Sequence, residues 1–184
     1  ADLLQQAQRR LAFDEFFLIQ LGAMRQRAIW QSQPGRALAV ESGWLDLFCK
    51  VLSYDLTAAQ VRVLHEISED VARSTPMSRL LQGDVGSGKT VVAAAAMWLA
   101  ARNGLQAALM APTQILAEQH YRTLSGLFDA LPGSPRVALL TGNLRASEKE
   151  ETRQAVAAGE VDIVIGTHAL IQEGVDFKDL ALVV

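Results

Sequence analysis

Apolar positions change their rhythm along this chain. Over residues 1–30, Leu3, Leu4, Ala7, Leu11, Phe13, Phe16, Phe17, Leu18, Leu21 and Met24 recur with helical spacing, and Gln and Arg fill the positions between. That pattern predicts one long helix. It reads as a packing helix with no chemistry of its own. Residues 31–43 contain Pro34, Gly35 and Gly43 and read as a loop. A shorter helix is expected over 44–52. From residue 53 short β-type runs alternate with helical ones. Strands are predicted at 79–82, 106–111, 136–140, 161–165 and 180–184. Helices are predicted at 58–72, 89–102, 115–130 and 147–158, with a turn at 168–173. Alternating β and α with near-continuously apolar strands implies a parallel sheet covered by helices on both faces. Gly104 and Gly159 fall where helix ends are expected. The run Ser-Glu-Lys-Glu at 147–150 has the form of a capping box. The expected division is a helical linker or packing segment over 1–52 and an α/β domain over 53–184.

Composition narrows the class. A chain of 184 residues can bury one sizeable core. The formal net charge of −3 gives no support to nucleic-acid binding through bulk charge, which leaves only a local basic strip for that purpose. The single cysteine, Cys49, excludes a disulfide framework within the chain and suits a reducing compartment. Its apolar surroundings in sequence make it a small buried hydrophobe. The first residues lack the basic-then-apolar order of a signal peptide. The longest apolar run, 91–101, is too short to cross a bilayer. These features predict a cytoplasmic protein with no membrane partner.

The candidate chemistry sits at 83–90. The run Gly83, Asp84, Val85, Gly86, Ser87, Gly88, Lys89, Thr90 fits G-x-x-x-x-G-K-[ST], a phosphate-binding loop. Its glycines let backbone N–H groups converge on phosphate oxygens. Lys89 is the expected catalytic cation at the β/γ-phosphates of ATP, and the Thr90 hydroxyl is the expected Mg²⁺ ligand. The helix predicted from residue 89 would turn its N-terminus toward the anion. The plainer reading is a glycine-rich turn with an incidental Lys-Thr. The loop's position between an apolar run and a helix argues against it.

In a parallel sheet, ligands bind beyond the carboxyl ends of the strands. The segments just after the predicted strands are the loop itself, Ala111-Pro112-Thr113, Thr141-Gly142 and Gly166-Thr167-His168. Small residues there let hydroxyls and backbone N–H groups reach phosphate oxygens.

The ordered set of segments is similar to superfamily-2 helicases and translocases, and most of all to the bacterial RecG family. The residues that carry the resemblance are 83–90, Met-Ala-Pro-Thr-Gln-Ile-Leu-Ala-Glu-Gln-His at 110–120, Leu-Leu-Thr-Gly at 139–142, Ile-Val-Ile-Gly-Thr-His-Ala-Leu-Ile-Gln at 163–172 and Phe-Lys-Asp-Leu-Ala-Leu-Val-Val at 177–184. Segments 8–17 and 56–62 fit the approach to the motor of that family. Gln114 departs from the pattern, where an acidic residue is more usual. The resemblance implies a P-loop NTPase fold of RecA-like type and a DNA-dependent ATPase using ATP and Mg²⁺. It implies that Gln60 reads adenine. Read from its own residues, Thr57-Ala-Ala-Gln60 is also a capping box, and the two readings need not exclude each other. It implies that Pro112, Thr113, Thr141, Gly142, Gly166, Thr167 and His168 contact the tracked DNA strand. Read alone, each Thr is a turn or cap residue and His168 a surface or packed histidine.

In the family an acidic DExH motif follows the last of these segments, with a second motor lobe and a wedge domain elsewhere. The resemblance therefore implies a truncated first motor lobe of an enzyme acting on branched DNA at forks and Holliday junctions, in recombination and repair. On that reading the lobe alone binds ATP without efficient hydrolysis. Two other expectations stand beside it: a translocase of the transcription-repair coupling factor type, whose loop usually carries Phe where Ser87 stands, and a non-catalytic nucleotide-binding or docking module.

Overall fold

The computed structural model describes residues 2–171 and 174–184. A helix, α1 (Asp2–Ser32), is followed by α2 (Trp44–Cys49), α3 (Ala58–Val71), α4 (Lys89–Arg102), β1 (Gln106–Met110), α5 (Gln114–Asp129), β2 (Val137–Leu140), α6 (Ala146–Ala158), β3 (Ile163–Gly166), a 3-10 turn (His168–Ile171) and β4 (Leu180–Val183). The strands pair in the order β2-β3-β1-β4, all parallel.

Strand alternation divides the interior in two. Ile163 and Ile165 of β3 enter a core shared with α3, α4 and α5, and Val164 enters a smaller one beneath α6 with Leu140, Val156 and Leu170. Helix α4 is apolar on every side because it is buried on every side: nine of its residues, from Val91 to Ala100, are inaccessible. Residues 34–52 join this core through Leu38, Trp44 and Phe48, whose ring lies 5.7 Å from that of Trp98. The Gly104 turn after α4 and the Gly159 cap of α6 both take positive φ, 68° and 73°, as their positions in sequence predict.

Four expectations are corrected. The strand at 79–82 does not form, and residues 76–84 have no regular secondary structure. Arg79 is tied to Glu66 at 2.5 Å and to Asp70 at 2.7 Å, which holds this segment against α3. A cleft of about 350 Å³, lined by Met77, Arg79, Leu81, Leu182 and Val183, separates it from β4. Ladder hydrogen bonds need backbones about 4.8 Å apart, so the apolar run stays extended but unpaired.

The second correction concerns α1. Its apolar side chains do not pack: Leu3, Phe16, Leu18 and Ile19 are each two-thirds or more exposed. They spread around a broad arc of a helix that projects from the domain, so no neighbouring element covers them among the described residues. Ala1, included in the predicted helix, lies outside those residues. Third, α6 starts two positions earlier than its expected box. Arg145 is the N-cap, and the Glu148 carboxylate accepts the Arg145 backbone N–H at 3.0 Å, while Ser147 is already inside the helix. Fourth, the helix expected over 44–52 ends at Cys49. The turn expected at 168–173 is seen over 168–171, and Gln172 and Glu173 lie outside the described residues.

Candidate nucleotide site and strand-end rim

The loop at 83–90 leads directly into α4. Gly88 is its N-cap with φ 78°, and Gly86 has φ 79°, both in the left-handed region that favours glycine. Two further constraints come from neighbours. A Cβ on Gly83 would stand 2.6 Å from Ser87 Oγ, and one on Gly88 would stand 2.3 Å from Gln60 Nε2. Helix α4 runs fourteen residues and has no acidic residue in its first turn, so its N-terminal amides face the loop uncompensated.

Lys89 folds back over the loop. Its ammonium donates to the carbonyls of Gly83 and Asp84 at 2.9 and 2.8 Å. Asp84 turns its carboxylate to the Val85 N–H rather than to Lys89. The ammonium therefore has carbonyl partners, which a phosphate would replace with stronger charge-assisted bonds. Thr90 lies in the first turn of α4, half-buried. Among the described residues no cluster of three or more His, Cys, Asp or Glu is placed to hold a metal. A loop of this form suits Mg²⁺ carried in by phosphate oxygens, and Thr90 is the residue that would hold it. The donors and the glycine cradle thus fit a nucleotide polyphosphate.

Gln60 does two things at once. Its Oε1 accepts the Thr57 N–H at 2.8 Å while the Thr57 hydroxyl accepts the Gln60 N–H, completing the expected capping box. Its Nε2 donates to the Ser87 carbonyl at 2.9 Å. The cap of α3 therefore sets the position of the loop, a link no sequence pattern announced. Tyr54, unassigned from sequence, stands half-exposed in a cavity of about 310 Å³ that also touches Gly88, Thr90 and Val91.

The second part of the site is the strand-end rim. Met110 and Leu140 both pair with Gly166, so three strands end level. The segments 112–113, 141–142 and 167–168 leave from that line. Helix α4 returns into β1 through a tight turn and runs antiparallel to it, which brings Gly88 and Lys89 to the same end of the sheet. Pro112, Thr113, Gly142 and His168 are exposed and Thr167 is half-buried. Thr141 is only 1 % exposed and Gly166 is buried. A Cβ on Gly166 would stand 2.2 Å from the Leu140 carbonyl, so packing alone demands glycine there. Thr113 caps α5, its hydroxyl accepting the Leu116 N–H at 3.4 Å.

Cys49 takes no part. It is half-buried, and burial pushes its thiol pKa up, with Asp46 and Asp55 adding to the effect. That is the opposite of what a nucleophilic cysteine needs. No helix among the described residues is long and apolar enough to cross a membrane.

A parallel sheet with a glycine-rich loop capping a buried helix at its carboxyl edge defines a P-loop nucleotide-binding lobe. The chain belongs to the DEAD/DEAH box helicase family, whose model matches residues 57–184. It is similar to the ATP-dependent DNA helicase RecG of Synechocystis, 47 % identical over 98 % of this chain and 22 % of that protein. It is similar to the RecG of Bacillus subtilis at 48 % identity over 100 % of this chain and 27 % of that protein. The chain thus spans about a quarter of the length of these relatives. Its structure superposes with a TM-score of 0.89 on RecG bound to a three-way DNA junction, at 46 % identity over 98 % of this chain and 24 % of that one.

Proposed function

We propose that this chain is the first motor lobe of an ATP-dependent DNA helicase or translocase of the RecG type, working on branched DNA in recombination and repair, in the cytoplasm. The observation that carries the reading is the level line of strand ends at Met110, Leu140 and Gly166 beside a P-loop on the same edge of the sheet. One edge then serves both ligands. Lys89 binds the β/γ-phosphates in place of its two carbonyl partners, and Thr90 ligates the Mg²⁺ that neutralises phosphate charge. Gln60 keeps the loop in register through Ser87 and reads the adenine edge with its remaining amide donor capacity. Pro112, Thr113, Gly142, Thr167 and His168 form the DNA-facing surface, with Thr141 and Gly166 shaping it from beneath. The division into a helical segment over 1–52 and a motor lobe over 53–184 belongs to this proposal.

Phosphoryl transfer relies on positioned charge. Among the described residues no acidic pair follows a strand at this edge: Asp162 precedes β3, and Asp176 and Asp179 precede β4. The lobe by itself therefore binds ATP without efficient turnover. Phosphate release from the purified chain, with and without forked DNA, tests this. Slow release that forked DNA leaves unchanged is expected, and robust DNA-stimulated release would overturn it. In the full-length protein, Lys89→Ala abolishes fork unwinding and leaves DNA binding; continued unwinding by that variant would refute the assignment of the motor.

A further inference from the structure

We propose that Lys149 is a positioning residue for the rim: it turns the Gly142–Asn143 peptide so that the Asn143 N–H meets a phosphate oxygen of the DNA strand lying there. The Lys149 ammonium donates to the Gly142 carbonyl at 2.5 Å, across seven residues. Lys149 is half-buried in the first turn of α6, and its own N–H donates to the Arg145 carbonyl at 3.0 Å. Together these two bonds close the connection between β2 and α6 into a ring. Among the described residues no other hydrogen bond reaches 141–144. The shape of the connection at Gly142 therefore depends on one ammonium.

No peptide bond among the described residues is cis. In a trans peptide the carbonyl and the N–H lie in one plane and point opposite ways. A Gly142 carbonyl held toward α6 sends the Asn143 N–H away from α6. Gly142 and Asn143 are exposed, so that donor stands free beside the strand ends. Backbone N–H groups bind phosphate oxygens without reading sequence. Gly142 fits the same role. Its φ is not positive, and a Cβ there would meet nothing within 4 Å. The fold leaves this position open to other residues, unlike Gly166, which packing requires. Glycine here instead gives clearance to a backbone approaching from outside. The ammonium is engaged by a carbonyl, so it acts through the peptide and not as a phosphate cation.

This inference rests on the rim being the DNA surface, and the test separates the two. Binding of a fluorescein-labelled forked DNA to the chain is followed by anisotropy over a range of NaCl concentrations. Lys149→Met keeps an apolar stem of similar length and loses the donor. It should weaken binding about tenfold at every salt concentration, with the slope of log K against log salt unchanged. Removing a lysine bound directly to phosphate would instead flatten that slope by about 0.7–0.9, and that result overturns the positioning role. Lys149→Arg, which keeps a donor, should restore most of the affinity; an arginine variant as weak as the methionine one counts against the proposal. Asn143→Pro removes the N–H itself and should weaken binding as Lys149→Met does, again with the slope unchanged. Wild-type affinity in folded Lys149→Met or Asn143→Pro, beside weakened binding by Thr113→Ala, overturns the proposal and leaves the rim reading standing. Wild-type affinity in all three overturns both, as does absence of binding by the wild-type chain at low salt.

Discussion

Gln106→Leu removes the buried polar side chain that makes the most hydrogen bonds among the described residues. Gln106 is 4 % exposed and sits at the start of β1. Its Nε2 donates to the carbonyls of Val156 and Val161 at 2.9 and 2.8 Å, and its Oε1 accepts the Asp179 N–H at 3.0 Å. Its backbone N–H also donates to the Asp179 carbonyl. One residue thus ties together the end of α6, the approach to β3 and the approach to β4. The register between β1 and β4 slips just after Gln106, so its side chain stands in for regular ladder bonds. Leucine fills nearly the same volume and leaves three backbone groups short of a partner. The Val156 carbonyl keeps the Gly159 N–H and loses least. The Asp179 N–H and the Val161 carbonyl lose more, at about 1–3 kcal/mol each for a buried unsatisfied group. Part of this is offset by the apolar surface leucine buries. The expected loss is about 2–4 kcal/mol, a large part of a typical domain's stability. Urea unfolding followed by far-UV circular dichroism reads it directly. With a slope near 2 kcal/mol per molar, the midpoint should fall by roughly 1–2 M. Nucleotide affinity measured below the transition should not change, because Gln106 lies at the opposite end of β1 from the loop. A midpoint shift under about 0.2 M, equivalent to roughly 0.4 kcal/mol, would refute the claim that this glutamine holds the strand approaches together.

Other substitutions probe the site itself. Gly166→Ala should lower the urea midpoint by about 1 M or more, since its Cβ would stand 2.2 Å from the Leu140 carbonyl and backbone must move; an unaltered midpoint would show that the rim is softer than the geometry implies. Gly88→Ala places alanine at φ 78° and displaces the Gln60 amide from Ser87, so fluorescent-ATP affinity should fall about tenfold, with about 1–2 kcal/mol of stability lost as well. The same affinity as wild type would remove Gln60 and Gly88 from loop positioning. Cys49 should react with iodoacetamide at pH 8 several-fold more slowly than a free thiol and reach the free rate in urea, because burial raises its pKa; fast labelling of the native chain would contradict that.

Much of this architecture was legible from local pattern. The P-loop, the caps at Thr57 and Gly159 and the parallel α/β order are all short-range signals, written within a few residues of where they act. The misjudged elements depended on distant partners. Residues 79–82 have a strand's composition, yet Arg79 binds Glu66 and Asp70 and no ladder forms. Helix α1 has the apolar content of a packed helix, yet nothing described covers Phe16 or Leu18. Thr141 looks like its neighbour Gly142 in sequence, but one is buried and the other exposed.

Sequence alone therefore determined which groups are available for the proposed phosphate contacts and in what order along the chain they occur. Tertiary structure decided which of them meet. Gln60 touches Ser87 across 27 residues, three strand ends stand level, and the Gln106 side chain ties the end of α6 to the approaches to β3 and β4. The reason is range: caps and loops are settled by torsions and bonds between near neighbours, whereas strand level, side-chain burial and the pairing of charges depend on packing between segments far apart in the chain.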